Sequence, residues 1–202
     1  MAPLTPKQRE IYKRDGAVFP LSALPASAAT ELGKTVANCF IGGDGRFTQE
    51  CAHMCYGWAD QLVRNPAMLD AAQSIIGENI LVWETTCWVK FPVGSALEEE
   101  GDSSSSSEGG FVSFGWHQDT AFWGIAPDDQ VVTVWIALSD VPASSGPVMF
   151  APGTHVGPWL PQTQTEDQPP GDLWAAIRGQ HAPVKAVLRA GEFMLFHGRL
   201  AQ

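Results

Sequence analysis

The second half of the chain consists of short segments rich in Val, Phe, Trp and Thr, separated from one another by Gly, Pro or Ser residues. Short runs of β-branched and aromatic residues that end at turn-forming residues are typical of β-strands. The clearest segments are ILVWETTCWVKFP (80–92), VVTVWIALSDV (131–141), GPVMFAP (146–152) and GEFMLFHGRL (191–200). Several short strands must bury their apolar faces against one another, so this half is predicted to form a sandwich or a barrel.

The first half has helical periodicity. Thr5 is predicted to cap a helix over PKQREIYKRDG, and Ser27 to cap a second over AATELGKTVANCF. Between them, DGAVFPLSAL predicts a short strand, and residues 60–76 predict a further amphipathic helix that ends at Gly77. Helices followed by strands indicate an α+β fold in which N-terminal helices buttress a sheet.

The chain length fits one domain. With 202 residues, 45% of them hydrophobic, the chain is long enough to bury a sizeable core, and a single domain over residues 1–202 is expected. One segment interrupts it: SALEEEGDSSSSSEGG, residues 95–110, is acidic and low in complexity. Such a segment cannot support packing, so it predicts a flexible surface loop.

The charge balance excludes some partners. There are 22 acidic and 12 basic residues, and a formal charge of −10 repels nucleic acid and anionic membrane surfaces. The N-terminal stretch lacks the apolar core of a signal peptide, and no apolar run approaches the roughly 20 residues that span a bilayer. A cytoplasmic protein that binds neither nucleic acid nor membrane is expected.

The triplet His117-Gln118-Asp119 is the best candidate for chemistry. In an extended strand, residues i and i+2 project from the same face, so the imidazole and the carboxylate would point together. Two histidines and one carboxylate on one face of Fe(II) leave positions open for a co-substrate and oxygen. Chance supplies such a triplet in about one chain in four of this composition, so a simple His–Asp hydrogen bond is the alternative.

The motifs around the triplet follow one another in an order that resembles the phytanoyl-CoA dioxygenase-like family of Fe(II)- and 2-oxoglutarate-dependent oxygenases. They are LTPKQREIYKRDGAVF, VRNPAMLDAAQSIIG, VKFP, GWHQD, VWIALSDV, SSGPVMFAPGTH and GEFMLFHGRL. The resemblance spans nearly the whole chain. It implies a double-stranded β-helix, a cupin-like jelly roll whose mouth holds the iron, with the C-terminal strands missing in this chain.

The resemblance implies roles for individual residues. His117 and Asp119 match the first two iron ligands. Four residues match positions around the 2-oxoglutarate pocket, although core packing for the tryptophan, a surface lysine and an ordinary packed strand remain alternatives: Thr86, Lys90, Thr133 and Trp135. His155 in the PGTH turn is expected to fix a loop by hydrogen bonding rather than to bind iron.

The same resemblance implies a third histidine ligand and, about ten positions later, an arginine that pairs with 2-oxoglutarate. Gln202 stands where the histidine is expected, and a carboxamide is a weak, neutral donor, so iron is expected to bind poorly. His197 is a poor substitute because strand alternation turns it to the opposite face. A truncated chain, an incomplete subunit and a barrel completed by a partner are the three explanations.

Two functions follow from these expectations. The first is an Fe(II)/2-oxoglutarate oxygenase that hydroxylates a small, largely apolar metabolite, as part of a homo- or heterodimer like natural-product-tailoring members of the family. Asp119 fits a hydroxylase better than a halogenase, since halogenating relatives replace this carboxylate with a small residue. The second is a catalytically incomplete subunit that stabilises an active paralogous oxygenase. A cupin-like hydrolase or isomerase that uses another metal is a weaker third.

Overall fold

The computed structural model describes residues 3–40, 51–89, 115–157, 159–160, 173 and 177–202. Within these residues the helices are α1 (Pro6–Asp15), α2 (Ala26–Phe40), α3 (Ala52–Cys55), α4 (Gly57–Val63), α5 (Pro66–Ile76) and α6 (Asp119–Trp123). The strands are β1 (Ala17–Ser22), β2 (Val132–Ile136), β3 (Met149–Phe150), β4 (Val184–Lys185) and β5 (Glu192–His197).

The start of α1 matches the sequence prediction. The Thr5 side chain accepts a hydrogen bond from the Gln8 N–H at 3.3 Å, and the Gln8 Oε1 accepts from the Thr5 N–H at 2.9 Å. This capping box satisfies two backbone donors that the helix leaves without partners. At the other end Gly16 adopts a φ of 80°, which lets the chain turn directly into β1.

The strands form two antiparallel sheets. The larger has the order β1–β5–β2, and the smaller pairs β3 with β4. In the larger sheet, Thr133 of β2 lies opposite Phe196 of β5, and Trp135 lies opposite Met194. The α+β class is therefore confirmed. A complete jelly roll stays a prediction, because the described residues supply these five strands only.

The central strand β5 divides the core into two layers. Phe193 and Leu195 face one side and pack with Tyr12 of α1 and Met68 of α5. Side chains on the other face belong to a second cluster, whose buried members are Ala17, Ala137, Phe150, Ala186, Leu188, Met194, Phe196 and Leu200. Each large apolar side chain buried in this way contributes about 1.5–3 kcal/mol, so β5 organises both layers.

The prediction of one helix over residues 60–76 is wrong, because the structure has two helices there, α4 and α5. Pro66 lacks an N–H and disfavours a helical conformation in the residue before it. Asn65 accordingly leaves the helical region, with φ −59° and ψ 122°, and its side chain accepts from the Ala67 N–H at 2.9 Å. The predicted end at Gly77 is correct.

Two further local predictions are wrong. Ser27 does not cap α2, because the helix already starts at Ala26 and the Pro25 carbonyl accepts the first backbone bond, from Ala29. Residues 80–89 form no strand, since no described segment pairs with them. They contact α3 instead: the Thr85 carbonyl accepts from the Ala52 N–H at 3.3 Å.

The acidic segment over residues 95–110 lies outside the described residues, so its surface-loop assignment stays a prediction. The extent of a single domain over residues 1–202 also stays a prediction. None of the helices that the structure describes is long and apolar enough to cross a bilayer.

Gly191 provides a test of how the sheet is held. Its φ is 87°, and an added Cβ would lie 2.2 Å from the Leu24 carbonyl oxygen. We expect Gly191→Ala to lower the free energy of unfolding by about 3 kcal/mol or more, because backbone strain and a clash with fixed backbone add together. Gly153→Ala is the matched control, since Gly153 has φ 81° and the nearest atom to its added Cβ would be the Arg14 carbonyl oxygen at 3.8 Å. Denaturant titrations in which the two variants lose equal free energy of unfolding would contradict the close contact between Gly191 and the Leu24 carbonyl.

Candidate metal centre

The candidate centre forms where residues 115–120 lie beside residues 198–202. The His117 N–H donates to the Gln202 carbonyl at 2.8 Å, and the Gln202 N–H donates to the His117 carbonyl at 3.0 Å. Three residues after His117, the N–H and the hydroxyl of Thr120 both donate to the Gly198 carbonyl at 3.0 Å. Gly198 permits this approach because an added Cβ would lie 2.4 Å from the Thr120 Cγ2.

His117 has a fixed ring orientation. Its Nδ1 lies 2.9 Å from the Gly115 carbonyl, a contact in which Nδ1 carries the proton. In the neutral ring, Nε2 then carries the lone pair. This Nε2 lies 3.3 Å from the Asp119 Oδ1. The Nδ1–H bond to a backbone carbonyl is the usual arrangement for a ligating histidine, and it leaves the metal-binding Nε2 beside the Asp119 carboxylate.

Asp119 reaches the site from the first residue of α6 rather than from a strand. The expectation that His117 and Asp119 converge by strand alternation is therefore wrong in its mechanism, although their side chains do meet. Gln118 is still extended, with φ −121° and ψ 120°, and the chain enters the helix immediately after it. The Asp119 Oδ2 accepts from the Thr133 hydroxyl at 2.7 Å, which leaves Oδ1 towards His117.

Gln202 completes the group. Its Nε2 donates to the Asp119 Oδ1 at 2.9 Å, so this one oxygen contacts both the imidazole and the carboxamide. No set of three His, Cys, Asp or Glu side chains among the described residues could hold a metal ion. Within this part of the chain, the Gln202 carboxamide is a further polar group in contact with Asp119, and we consider it as a third donor.

The pair of His117 and Asp119 fits an octahedral metal ion. Neighbouring ligand atoms on such an ion, with bonds of roughly 2.1 Å, lie about 3 Å apart. The 3.3 Å between Nε2 and Oδ1 is close to this spacing. The third donor is weaker, because a carboxamide oxygen is neutral where an imidazole nitrogen binds Fe(II) more strongly.

The electrostatics of the pair favour a protonated imidazole when no metal is bound. Burial lowers the pKa of His117, but the Asp119 hydrogen bond, the Gly115 carbonyl and the Asp119 charge outweigh it, so the pKa is raised above 6.5. A metal ion therefore has to displace this proton, and metal affinity is expected to rise with pH through that pKa.

The residues predicted around the 2-oxoglutarate pocket have different surroundings. Thr133 lies beside His117 and Asp119, and its hydroxyl donates to Asp119. Trp135, two residues along β2, is half-buried against the second core cluster. Thr86 is exposed in the segment that forms no strand, and Lys90 lies outside the described residues. Their cofactor roles stay predictions.

His197 lies on the other face of β5 from the candidate centre. Phe196 pairs with Thr133, so the next residue projects to the opposite side of the sheet. The His197 ring accordingly lies 6.4 Å from that of Tyr12 and 5.2 Å from that of His155. His155 itself is buried, and its Nε2 lies 3.2 Å from the Lys13 carbonyl, which ties the PGTH turn to α1.

Sequence reasoning missed Gln118. Its side chain is fully buried, its Nε2 donates to the Arg199 carbonyl, and its Oε1 accepts from the Leu160 N–H at 3.3 Å. Gln118 thus joins the two backbone segments of the centre to a third. The sequence contains one indication: Gln118 stands between two predicted ligands, and strand alternation directs its side chain away from theirs.

The pKa of His117 can be tested in metal-free protein. Since the folded pKa is raised, the protonated ring stabilises the fold below about pH 6.5, and this contribution is lost as the pH rises through the folded value. We expect Asp119→Asn to lower the His117 pKa, measured by NMR titration of its ring protons. Asp129→Asn, at an exposed carboxylate away from the pair, is the control. An unchanged His117 titration in Asp119→Asn would contradict the assignment.

Solved structures resemble this fold. The non-heme monooxygenase ThoJ, in a nickel complex, is 28% identical with a TM-score of 0.66, over 95% of this chain and 67% of that chain. The non-heme alpha-ketoglutarate-dependent carbocyclase SnoK from nogalamycin biosynthesis has a TM-score of 0.74 at 19% identity, over 98% and 76%. EctD from S. alaskensis, solved with 2-oxoglutarate and 5-hydroxyectoine, has a TM-score of 0.69 at 16% identity, over 99% and 70%. The last two show the fold alone.

A curated relative from Stutzerimonas stutzeri, a probable alpha-ketoglutarate-dependent hypophosphite dioxygenase, is 28% identical over 108 residues. The match covers 54% of this chain and 32% of the relative, so the chain spans about a third of that protein. The phytanoyl-CoA dioxygenase (PhyH) family model matches residues 47–201. These residues include the whole candidate centre except Gln202, and the chain belongs to the phytanoyl-CoA dioxygenase family.

Proposed function

We propose that the chain is an Fe(II)- and 2-oxoglutarate-dependent oxygenase domain that oxidises a small, largely apolar metabolite. The observation that carries this proposal is the contact of the His117 Nε2 and the Gln202 carboxamide with one oxygen of Asp119, at 3.3 and 2.9 Å. An imidazole nitrogen, a carboxylate oxygen and, once the Gln202 amide turns its oxygen inwards, a carboxamide oxygen are donors that a divalent metal accepts.

The chain's own residues hold this donor set in place. The Gly115 carbonyl fixes the His117 ring, and the Thr133 hydroxyl binds the outer oxygen of Asp119. The paired backbones of His117 and Gln202 set the distance between the two segments. Ligands held in this way need little reorganisation when the ion arrives, which favours binding.

Bound iron with 2-oxoglutarate would supply the oxidising power for hydrogen removal from an unactivated carbon. The protein would position the co-substrate and exclude water. Thr133 and Trp135 share one face of β2, on the side of Asp119, and we assign this face to the pocket together with Thr86 and Lys90. Trp135 and Trp116 are half-buried against core clusters next to the site, and an apolar substrate is part of the same proposal.

We extend this proposal to the rest of the fold. The described strands would belong to a double-stranded β-helix, in line with the TM-scores of the solved oxygenases. A dimer with itself or with a related subunit is part of the same proposal.

A second function rests on Gln202. Its hydrogen bond to Asp119 occupies the carboxylate without any metal, and its neutral carboxamide weakens the centre. The chain would then be a non-catalytic subunit that stabilises an active paralogous oxygenase. The two functions differ in whether the protein binds metal as it stands.

Metal titration of the purified protein distinguishes them. We expect calorimetry with Ni(II), the ion in the ThoJ complex, and with Fe(II) under anaerobic conditions to show one weak site. Asp119→Ala should abolish binding at that site, because it removes the charged donor. Gln202→His should strengthen binding about tenfold or more, since imidazole replaces a weak donor.

Gln180→His is the matched control, because Gln180 is exposed in a turn away from the centre. Its metal affinity should equal that of the unaltered chain. Metal-dependent conversion of 2-oxoglutarate to succinate by the unaltered chain would exclude the non-catalytic role. Binding that appears only in Gln202→His would support that role, and binding that survives Asp119→Ala would overturn the assignment of the centre.

A further inference from the structure

A cavity lies on the opposite face of β5 from the candidate metal centre. Its volume is about 600 Å³, within the range of small-molecule sites. Side chains of α1 and α5 form one side, and the PGTH turn together with residues 197 and 199 forms the other. Phe196 shares the face of the sheet with Thr133, which contacts Asp119, whereas His197 lines the cavity on the opposite face. Strand β5 therefore separates the two sites.

Helix α1 contributes three side chains to the cavity. Arg9, Tyr12 and Lys13 follow the i, i+3, i+4 spacing, so they share one face of the helix. Lys7 occupies the opposite face and does not line the cavity. The cavity wall on this side is therefore amphipathic, with an aromatic ring between two cationic groups.

The hydroxyl of Tyr12 is a buried donor without a partner. The residue is 6% exposed, and its Oη has no hydrogen-bond partner. Leaving a buried hydroxyl unsatisfied costs about 1–3 kcal/mol, so such a group indicates a missing acceptor. Burial also raises the pKa of Tyr12, which keeps the hydroxyl protonated and able to donate.

The charges around the cavity are positive in an acidic chain. Arg9, Lys13 and Arg199 line it, and Asp129 is the one acidic residue among the lining side chains. The chain as a whole carries a formal charge of −10. A cationic concavity in an otherwise acidic surface attracts a small anion and holds it by charge-assisted hydrogen bonds.

Apart from Ser74 and Gly157, the remaining wall is apolar or aromatic. Ile75 of α5 and Val156 of the PGTH turn line the cavity beside the rings of His155 and His197. Val156 is 69% exposed, so it offers apolar surface at the mouth of the cavity. An occupant therefore has an apolar body as well as an anionic end.

From these features we propose that the cavity between α1 and the end of β5 binds a small organic carboxylate with an apolar body. The carboxylate accepts from the Tyr12 hydroxyl and pairs with Lys13 and Arg199, and the apolar body covers Ile75 and Val156. This proposal uses no residue of the metal centre, so its test is independent of the test of the proposed oxygenase function.

Phenylacetate is a suitable probe, and phenylacetamide is its neutral isostere. Both are titrated into chelator-treated, metal-free protein and followed by two-dimensional NMR. We expect phenylacetate to shift the resonances of residues that line the cavity and phenylacetamide to bind at least tenfold more weakly, since it lacks the charge.

Two pairs of variants localise the site. Lys13→Gln should weaken phenylacetate binding about fivefold, and Lys7→Gln on the other face of α1 should leave it unchanged. Tyr12→Phe should weaken binding about tenfold without lowering the melting temperature of the free protein, because the lost hydroxyl has no partner there. Tyr56→Phe, at the chain's only other tyrosine, is its control.

A purely structural role for Tyr12 would lower the melting temperature and leave the affinity of the folded protein unchanged. That result would overturn the proposal. Equal binding of phenylacetate and phenylacetamide, the absence of shifts at about 10 mM probe, or an unchanged affinity in Lys13→Gln would overturn it as well.

Discussion

The pair of backbone hydrogen bonds between His117 and Gln202 is the constraint on which the candidate centre depends. It fixes residues 198–202 beside the segment that carries His117 and Asp119, and the Thr120 and Gln118 contacts extend the same attachment. Removing these bonds would separate the carboxamide from the carboxylate. The position of Gln202 is thus a property of the backbone, and the chemistry of its side chain decides how well the centre holds a metal.

The central strand β5 gives this arrangement its two-sided character. Its alternating side chains pack into two core layers, and the residue after Phe196 turns to the helical side. The segment that follows continues to Arg199 and Gln202, which belong to different sites. A short stretch of chain therefore connects a cationic cavity on one face with a carboxylate centre on the other.

Local sequence rules predicted the parts of the fold that local chemistry determines. Thr5 caps α1 as expected, because capping depends on neighbouring residues only. The break between α4 and α5 at Asn65 was not predicted, because the apolar periodicity continues across it. Pro66 was the signal that could have indicated it. Residues 80–89 have strand composition but no described partner, and composition cannot supply a partner. His117 and Asp119 were found through their spacing, whereas Gln118 and the cavity around Tyr12 depend on contacts between distant segments that no local pattern encodes.

The central claim is that a divalent metal binds at His117 and Asp119. NMR of the protein with Co(II), a paramagnetic ion that displaces the resonances of its ligands, tests this claim most directly. The account predicts strongly shifted ring resonances from one imidazole, that of His117, and their disappearance in Asp119→Ala. Strongly shifted resonances from His197 or His155 in place of His117, or none at saturating Co(II), would contradict it.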